Sequence, residues 1–210
     1  AKMPAVGMGT FGSDHADADA VSASVAGALR VGYRSFDCAA CYGNEDMIGK
    51  IFADAFAEGI VKREELFIAS KVWNDMHGDG DVLIACAKTL KDLKLDYLDM
   101  YYVPCPFPNC DVDSRNPDSK PFTVERFMKT WRQMERLVDM GLTKHIGMSN
   151  MTIPKLEAVL PLCRIKPAAI EMELHPCFQQ PELFDYCRAH GIEVVGFCPI
   201  GSPERPGRDK

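Results

Sequence analysis

The sequence lacks several features that would mark particular classes of protein. No apolar run approaches the roughly 20 residues that cross a bilayer as a helix. No cluster of lysine and arginine appears, and the formal net charge is −6. A nucleic-acid partner is therefore not expected, because that affinity comes largely from neutralised phosphates. The nine cysteines are an odd number without framework spacing, which points to reduced thiols rather than a disulfide scaffold. The opening AKMPAVGMGTFG has neither the charged nor the apolar region of a secretory signal. These absences together set the expectation of a cytoplasmic protein with no membrane partner. No internal repeat, low-complexity tract or linker divides the chain.

What is present is the composition of one globular domain: 210 residues, 47% hydrophobic and 26% charged. Short apolar runs alternate with amphipathic ones. Strands are expected at 33–37, 66–71, 98–103, 145–149, 168–173 and 193–197, with an earlier one near 6–9. Several are apolar on both parities, as in parallel strands covered on both faces. Helices are expected at 19–30, 44–58, 82–93, 124–140, 153–160 and 181–189. Phe127, Trp131, Met134, Leu137 and Val138 form the clearest apolar stripe, and Gly141 follows it. Repeated βα units imply a parallel sheet, open or closed. The proline-rich stretch 104–122 reads as a long βα loop.

Reactive side chains stand at or just after strand ends. FDCAACYGNE puts Asp37 at one end and Tyr42 five residues on; IASKVW puts Lys71 at the next. In a barrel these ends share one rim, where active sites sit. The trio is chemically coherent. A tyrosine is a weak acid unless a cation favours its phenolate. Lys71 supplies that cation and is expected to lower the Tyr42 pKa, with Asp37 holding Lys71. Tyr42 then protonates a carbonyl oxygen while hydride reaches the carbon, and the hydride requires a cofactor.

FDCAACYGNE, ASKVWN, LDMYYVPCP, HIGMSNM, AAIEMELHP and GFCPIGSP follow the order and spacing of aldo-keto reductase motifs, so the chain resembles that family over nearly its whole length. The resemblance implies an α/β fold, the (β/α)8 TIM barrel, with about seven of eight strands within a single domain spanning 1–210. It implies NADPH and reversible reduction of aldehydes or ketones to alcohols. It assigns catalysis to Asp37, Tyr42 and Lys71. Ser149, Asn150 and Glu171 fall at positions that hold the nicotinamide amide, Phe197 at the ring that stacks on the nicotinamide. Gly201 and Ser202 fall at the pyrophosphate turn, and Gly9 and Thr10 at the first loop beside the cofactor.

Three departures from the family's pattern stand out. Pro104 stands where the family has a histidine, and Glu171 where it has glutamine; the eighth strand, last helices and C-terminal loop lie outside this sequence. An ionised glutamate accepts hydrogen bonds but cannot donate them. A cofactor-binding or regulatory barrel with little or no turnover is the alternative that Pro104 favours.

Other signals have plainer readings. Gly7, Gly9 and Gly12 match GxGxxG, but no helix pattern opens at them, so they read as a turn. Cys38 and Cys41 match CxxC without a helix start to activate a thiol. Cys105 and Cys110 lack partners at zinc spacing, and no metal is expected. His77 is either a solvated loop residue or a border of the substrate pocket. Phe11 and Trp73 either wall that pocket or pack in the core.

Overall fold

The computed structural model describes residues 2–12, 16–105 and 121–201. Seven strands alternate with six α-helices: β1 (Met8–Gly9), α1 (Ala18–Arg30), β2 (Ser35–Asp37), α2 (Glu45–Ala57), β3 (Phe67–Lys71), α3 (Asp81–Leu93), β4 (Leu98–Val103), α4 (Val124–Asp139), β5 (Thr143–Ser149), α5 (Ile153–Val159), β6 (Ala169–Glu173), α6 (Pro181–Ala189) and β7 (Glu193–Phe197). All neighbouring strands pair in parallel, in chain order from β1 to β7. The result is a nearly closed (β/α) barrel with a helical outer layer. Within the described residues β1 and β7 each pair on one side only. Most of the loop after β4 lies outside the described residues, as do Cys110 and Ser202.

The helices start and stop for local reasons. Asp17 caps α1 by accepting from the Ala20 amide at 2.8 Å, so the helix opens one residue before the apolar pattern suggests. Thr123 caps α4, and Gly141 takes the left-handed φ of +74° that ends it. The α4 stripe of Phe127, Trp131, Met134 and Leu137 is buried against the sheet, and the Trp131 indole donates to the Ile165 carbonyl at 3.0 Å.

Side chains divide by strand parity. Outward residues such as Phe36, Ile68, Tyr101 and Ile146 join the helices in the main core. Inward residues Phe67, Ala69, Met100, Tyr102 and Ala169 form a second, smaller cluster enclosed by the strands. Accordingly β3 and β4 are buried at every position. By contrast, β7 is only partly covered.

Tyr102 fits inside because Gly147 lies opposite it on β5. A Cβ at Gly147 would meet the Tyr102 ring at 2.4 Å and the Ala169 carbonyl at 2.9 Å. The expected outcome of Gly147→Ala is a loss of about 1–3 kcal/mol in stability by overpacking. Denaturant unfolding checks it, and an unchanged midpoint would show that the barrel interior has slack there.

Candidate active site

The strand ends assemble the charged residues. Asp37 ends β2, Lys71 ends β3, Ser149 ends β5, and Glu171 lies two residues from the end of β6. Lys71 is buried among them: Nζ donates to Asp37 Oδ1 at 2.5 Å and to the Cys38 carbonyl at 3.3 Å. It lies 3.3 Å from Glu171 Oε2. In a flat sheet β3 and β6, three strands apart, would be separated by about 14 Å. The Lys71–Glu171 contact therefore requires the curl of the barrel. One cation thus faces two carboxylates.

Two tyrosines flank the cation, with Lys71 Nζ 5.8 Å from the ring centroids of both Tyr42 and Tyr102. Tyr42 belongs to a 3-10 turn at Ala40–Tyr42 that follows β2. Phe11 meets its ring edge-on at 5.0 Å between centroids, yet is 67% exposed. Of the two readings of Phe11, core packing is thus set aside. Tyr102 escaped the sequence reading, although strand parity points it inward beside Lys71.

The protonation states follow from this crowding. Burial pulls the Lys71 pKa down, but Asp37, Glu171 and Tyr42 push it above the ordinary lysine value. Lys71 is thus a permanent cation. Burial raises the Tyr42 pKa, Lys71 opposes that, and Asp37 and Glu171 add to it. Lys71 thus lowers the Tyr42 pKa as expected, but burial outweighs it, the two carboxylates add to the rise, and Tyr42 remains a neutral phenol able to donate. Burial first, then Asp37, push the Glu171 carboxyl up to about 7 against the pull of Lys71.

The first loop and the β5 end are tied to the same centre. Thr10 is fully buried, and both its amide and its hydroxyl donate to the Asp37 carbonyl, at 3.0 and 2.9 Å. Asn44, another residue missed in the sequence, donates to the Thr10 carbonyl at 2.9 Å. Gly9 pairs with Asp37, and a Cβ there would meet nothing within 4 Å. Asn150, at φ +56°, donates to the Pro104 carbonyl at 2.8 Å and to Ser149 Oγ at 3.2 Å. Pro104 supplies no side-chain donor; its carbonyl orients Asn150 instead. Phe197 ends β7 half-buried, and Gly201, at φ +79°, closes a turn onto the Cys198 carbonyl.

One candidate sits apart. His77 turns to the outer layer, where Nδ1 pairs with Thr130 of α4 at 3.0 Å and Nε2 is buried without a hydrogen bond. Trp73 is half-buried after β3. Cys38 is buried with its pKa raised, and burial pushes Cys41 up to about 11, so neither is an activated thiol. No group of three potential metal-ligating side chains gathers among the described residues. Nor is any helix there long and apolar enough to cross a membrane. A cleft of about 320 Å³ between the starts of α5 and α6, lined by Met151, Ile153, Pro154 and Leu183, does not reach Lys71.

Residues 5–209 match the family model described as "Aldo/keto reductase family". The chain belongs to the aldo-keto reductase family. It is 44% identical over 208 residues to an aldo/keto reductase of Synechocystis sp., covering 98% of this chain and 63% of that protein. It is 40% identical to "Aldo-keto reductase family 1 member A1" of Xenopus tropicalis, covering 99% of this chain and 64% of the relative. The chain thus spans less than two thirds of the length of these relatives. Among solved structures, a Bombyx mori aldo-keto reductase in complex with NADP superposes with a TM-score of 0.88 at 33% identity, over 98% of this chain and 66% of that one. The aldose reductase of Giardia lamblia gives 0.86 at 36% identity, over 95% and 67%.

Burial pulls the His77 pKa down to about 4, although Asp75 and Asp81 draw it up. Since a histidine in the unfolded chain titrates near about 6.5, the folded state binds fewer protons in between. The contribution of neutral His77 is complete above about pH 6.5 and is lost as pH falls toward about 4. Stability should fall more steeply across that window in the parent chain than in His77→Asn. Equal slopes would show that His77 is not buried as a neutral ring.

Proposed function

We propose that this chain carries the catalytic centre of an NADPH-dependent oxidoreductase that reduces aldehydes or ketones to alcohols. The observation that carries the reading is the buried Lys71 cation, clamped by Asp37 and Glu171, with the neutral Tyr42 phenol beside it. The Tyr42 hydroxyl gives its proton to the carbonyl oxygen, and Lys71 stabilises the phenolate left behind. Asp37 fixes Lys71 in place. The reduced nicotinamide supplies the hydride, which no side chain can donate.

The site also fits that cofactor. The buried Glu171 carboxylate faces Lys71 through Oε2 at 3.3 Å and keeps acceptor capacity for a carboxamide NH₂. Ser149 and Asn150 flank it, because Ser149 pairs with Glu171 and the Asn150 amide donates to the Glu171 carbonyl at 3.0 Å. Phe197 at the end of β7 offers the stacking ring, and Gly201 the turn for the pyrophosphate. Gly9 and Thr10 border the cofactor from the first loop; Phe11 and Trp73 wall the carbonyl pocket. The preference for the phosphorylated dinucleotide is supported by the NADP in the silkworm reductase. A cytoplasmic setting accords with the free cysteines among the described residues.

Pro104 favours a second reading, a barrel that binds the cofactor with little turnover, because the end of β4 offers a carbonyl rather than a side-chain donor. Rate and binding together separate the two. Tyr42→Phe should slow reduction of a reactive aldehyde by about 10²–10⁴-fold, as loss of a general acid does. The affinity for NADPH, followed by its fluorescence, should stay nearly constant. An unchanged rate would remove Tyr42 as the proton donor; tight NADPH binding with no turnover in the parent chain would favour the second reading.

A further inference from the structure

Oxidised and reduced nicotinamides differ by one positive charge on the ring, and Glu171 is a carboxylate where a neutral amide would serve for hydrogen bonding. Its surroundings do not neutralise it. Lys71 is the cation at hand, and it is already engaged by Asp37 at the shorter distance of 2.5 Å, against 3.3 Å for Glu171. With both carboxylates ionised, one cation leaves the cluster with a surplus negative charge. That charge is buried: Glu171 is 4% exposed, and its Oε2 has the shared Lys71 ammonium beside it at 3.3 Å. In such surroundings a unit charge acts over several ångströms with little screening.

The remaining neighbours leave the surplus intact. The titratable side chains facing Glu171 are Asp37 of β2, Lys71 of β3, Tyr102 of β4 and Tyr42 after β2. Both tyrosines are held neutral by burial. The register partners on the adjoining strands, Ser149 of β5 and Val195 of β7, carry no charge. Further along β6, His175 pairs with Glu173 at 3.1 Å and not with Glu171.

We propose that Glu171 is a redox-state selector: its ionised carboxylate makes the site hold the oxidised, cationic nicotinamide in preference to the reduced, neutral one. The proposal rests on the nicotinamide reading above. It adds a direction to it, since a site that retains the oxidised cofactor draws the bound reaction toward the alcohol and slows cofactor exchange after each reduction. The preference depends on protonation. With the carboxyl pushed up to about 7, the surplus charge is present above neutrality and disappears below it. The protonated acid can still meet a carboxamide, so binding persists while discrimination is lost.

The test is calorimetric titration of the full chain with NADP⁺ and with NADPH, from about pH 5.5 to about pH 8.5. The 2′-phosphate is common to both forms, so its own titration cancels in the ratio of the two dissociation constants. In the parent chain the ratio Kd(NADPH)/Kd(NADP⁺) should rise about tenfold across the range, as expected for gaining one buried charge. In Glu171→Gln the ratio should stay flat at the parent's acidic value. A flat ratio in the parent chain, a measurement that needs no substitution, overturns the proposal while leaving the cofactor reading standing. An equal rise in Glu171→Gln also overturns it and moves the effect to another group such as His175. Binding of neither dinucleotide overturns both.

Discussion

Lys71 is a fully charged group in a place with almost no water, and that constraint organises the rim of the barrel. An isolated ammonium buried this deeply would lose its proton or unfold its surroundings. Here it is kept by Asp37 from the neighbouring strand β2 and by Glu171 from β6, on the other side of β4 and β5. The second contact exists because the sheet curls. Gly147 leaves room for Tyr102 inside that curl, and Tyr102 in turn gives the cation an aromatic wall. Backbone closure, inward packing and the placement of charge are one arrangement seen at three levels.

The same arrangement decides how Tyr42 behaves. A lysine beside a tyrosine suggests an easily ionised phenol, but burial outweighs the lysine and the two carboxylates add to it. Tyr42 is an acid waiting for an acceptor rather than a phenolate waiting for a proton. The first loop contributes to this poise from behind: Thr10 ties itself to the Asp37 carbonyl, and Asn44 ties Thr10 to the start of α2. Pro104 gives up a side-chain donor at the end of β4 but keeps a carbonyl that positions Asn150. On the proposed reading, the β5–β6 side of the rim takes the cofactor and Tyr42 gives the proton.

Much of this was legible in the sequence, for definite reasons. The apolar runs at 66–71 and 98–103 read as covered parallel strands because both parities are apolar, and both are buried at every strand position. Strand ends such as Asp37, Lys71 and Ser149 follow from the end of each run. What escaped was non-local. Nothing near Glu171 in the chain says that its oxygen lies beside Lys71, and nothing near Tyr42 says that its burial outweighs the lowering of its pKa by Lys71. His77 looked like a rim residue because it follows Lys71 closely; its partner Thr130 lies 53 positions away on α4. Likewise β1 shrinks to two residues, since only Met8 and Gly9 find partners on β2.

The central claim is that Lys71 holds the buried Glu171 carboxylate together with the part-exposed Asp37, which would otherwise repel each other. Its most direct test is the stability of Lys71→Met as a function of pH. Without the cation, the Glu171 carboxyl must be protonated to stay buried, so the folded chain binds more protons than the unfolded one and loses stability as pH rises. Urea unfolding should show a cost of about 3–5 kcal/mol near neutrality, larger at about pH 8 than at about pH 5. A variant equally stable at both pH values, or as stable as the parent, would contradict the account.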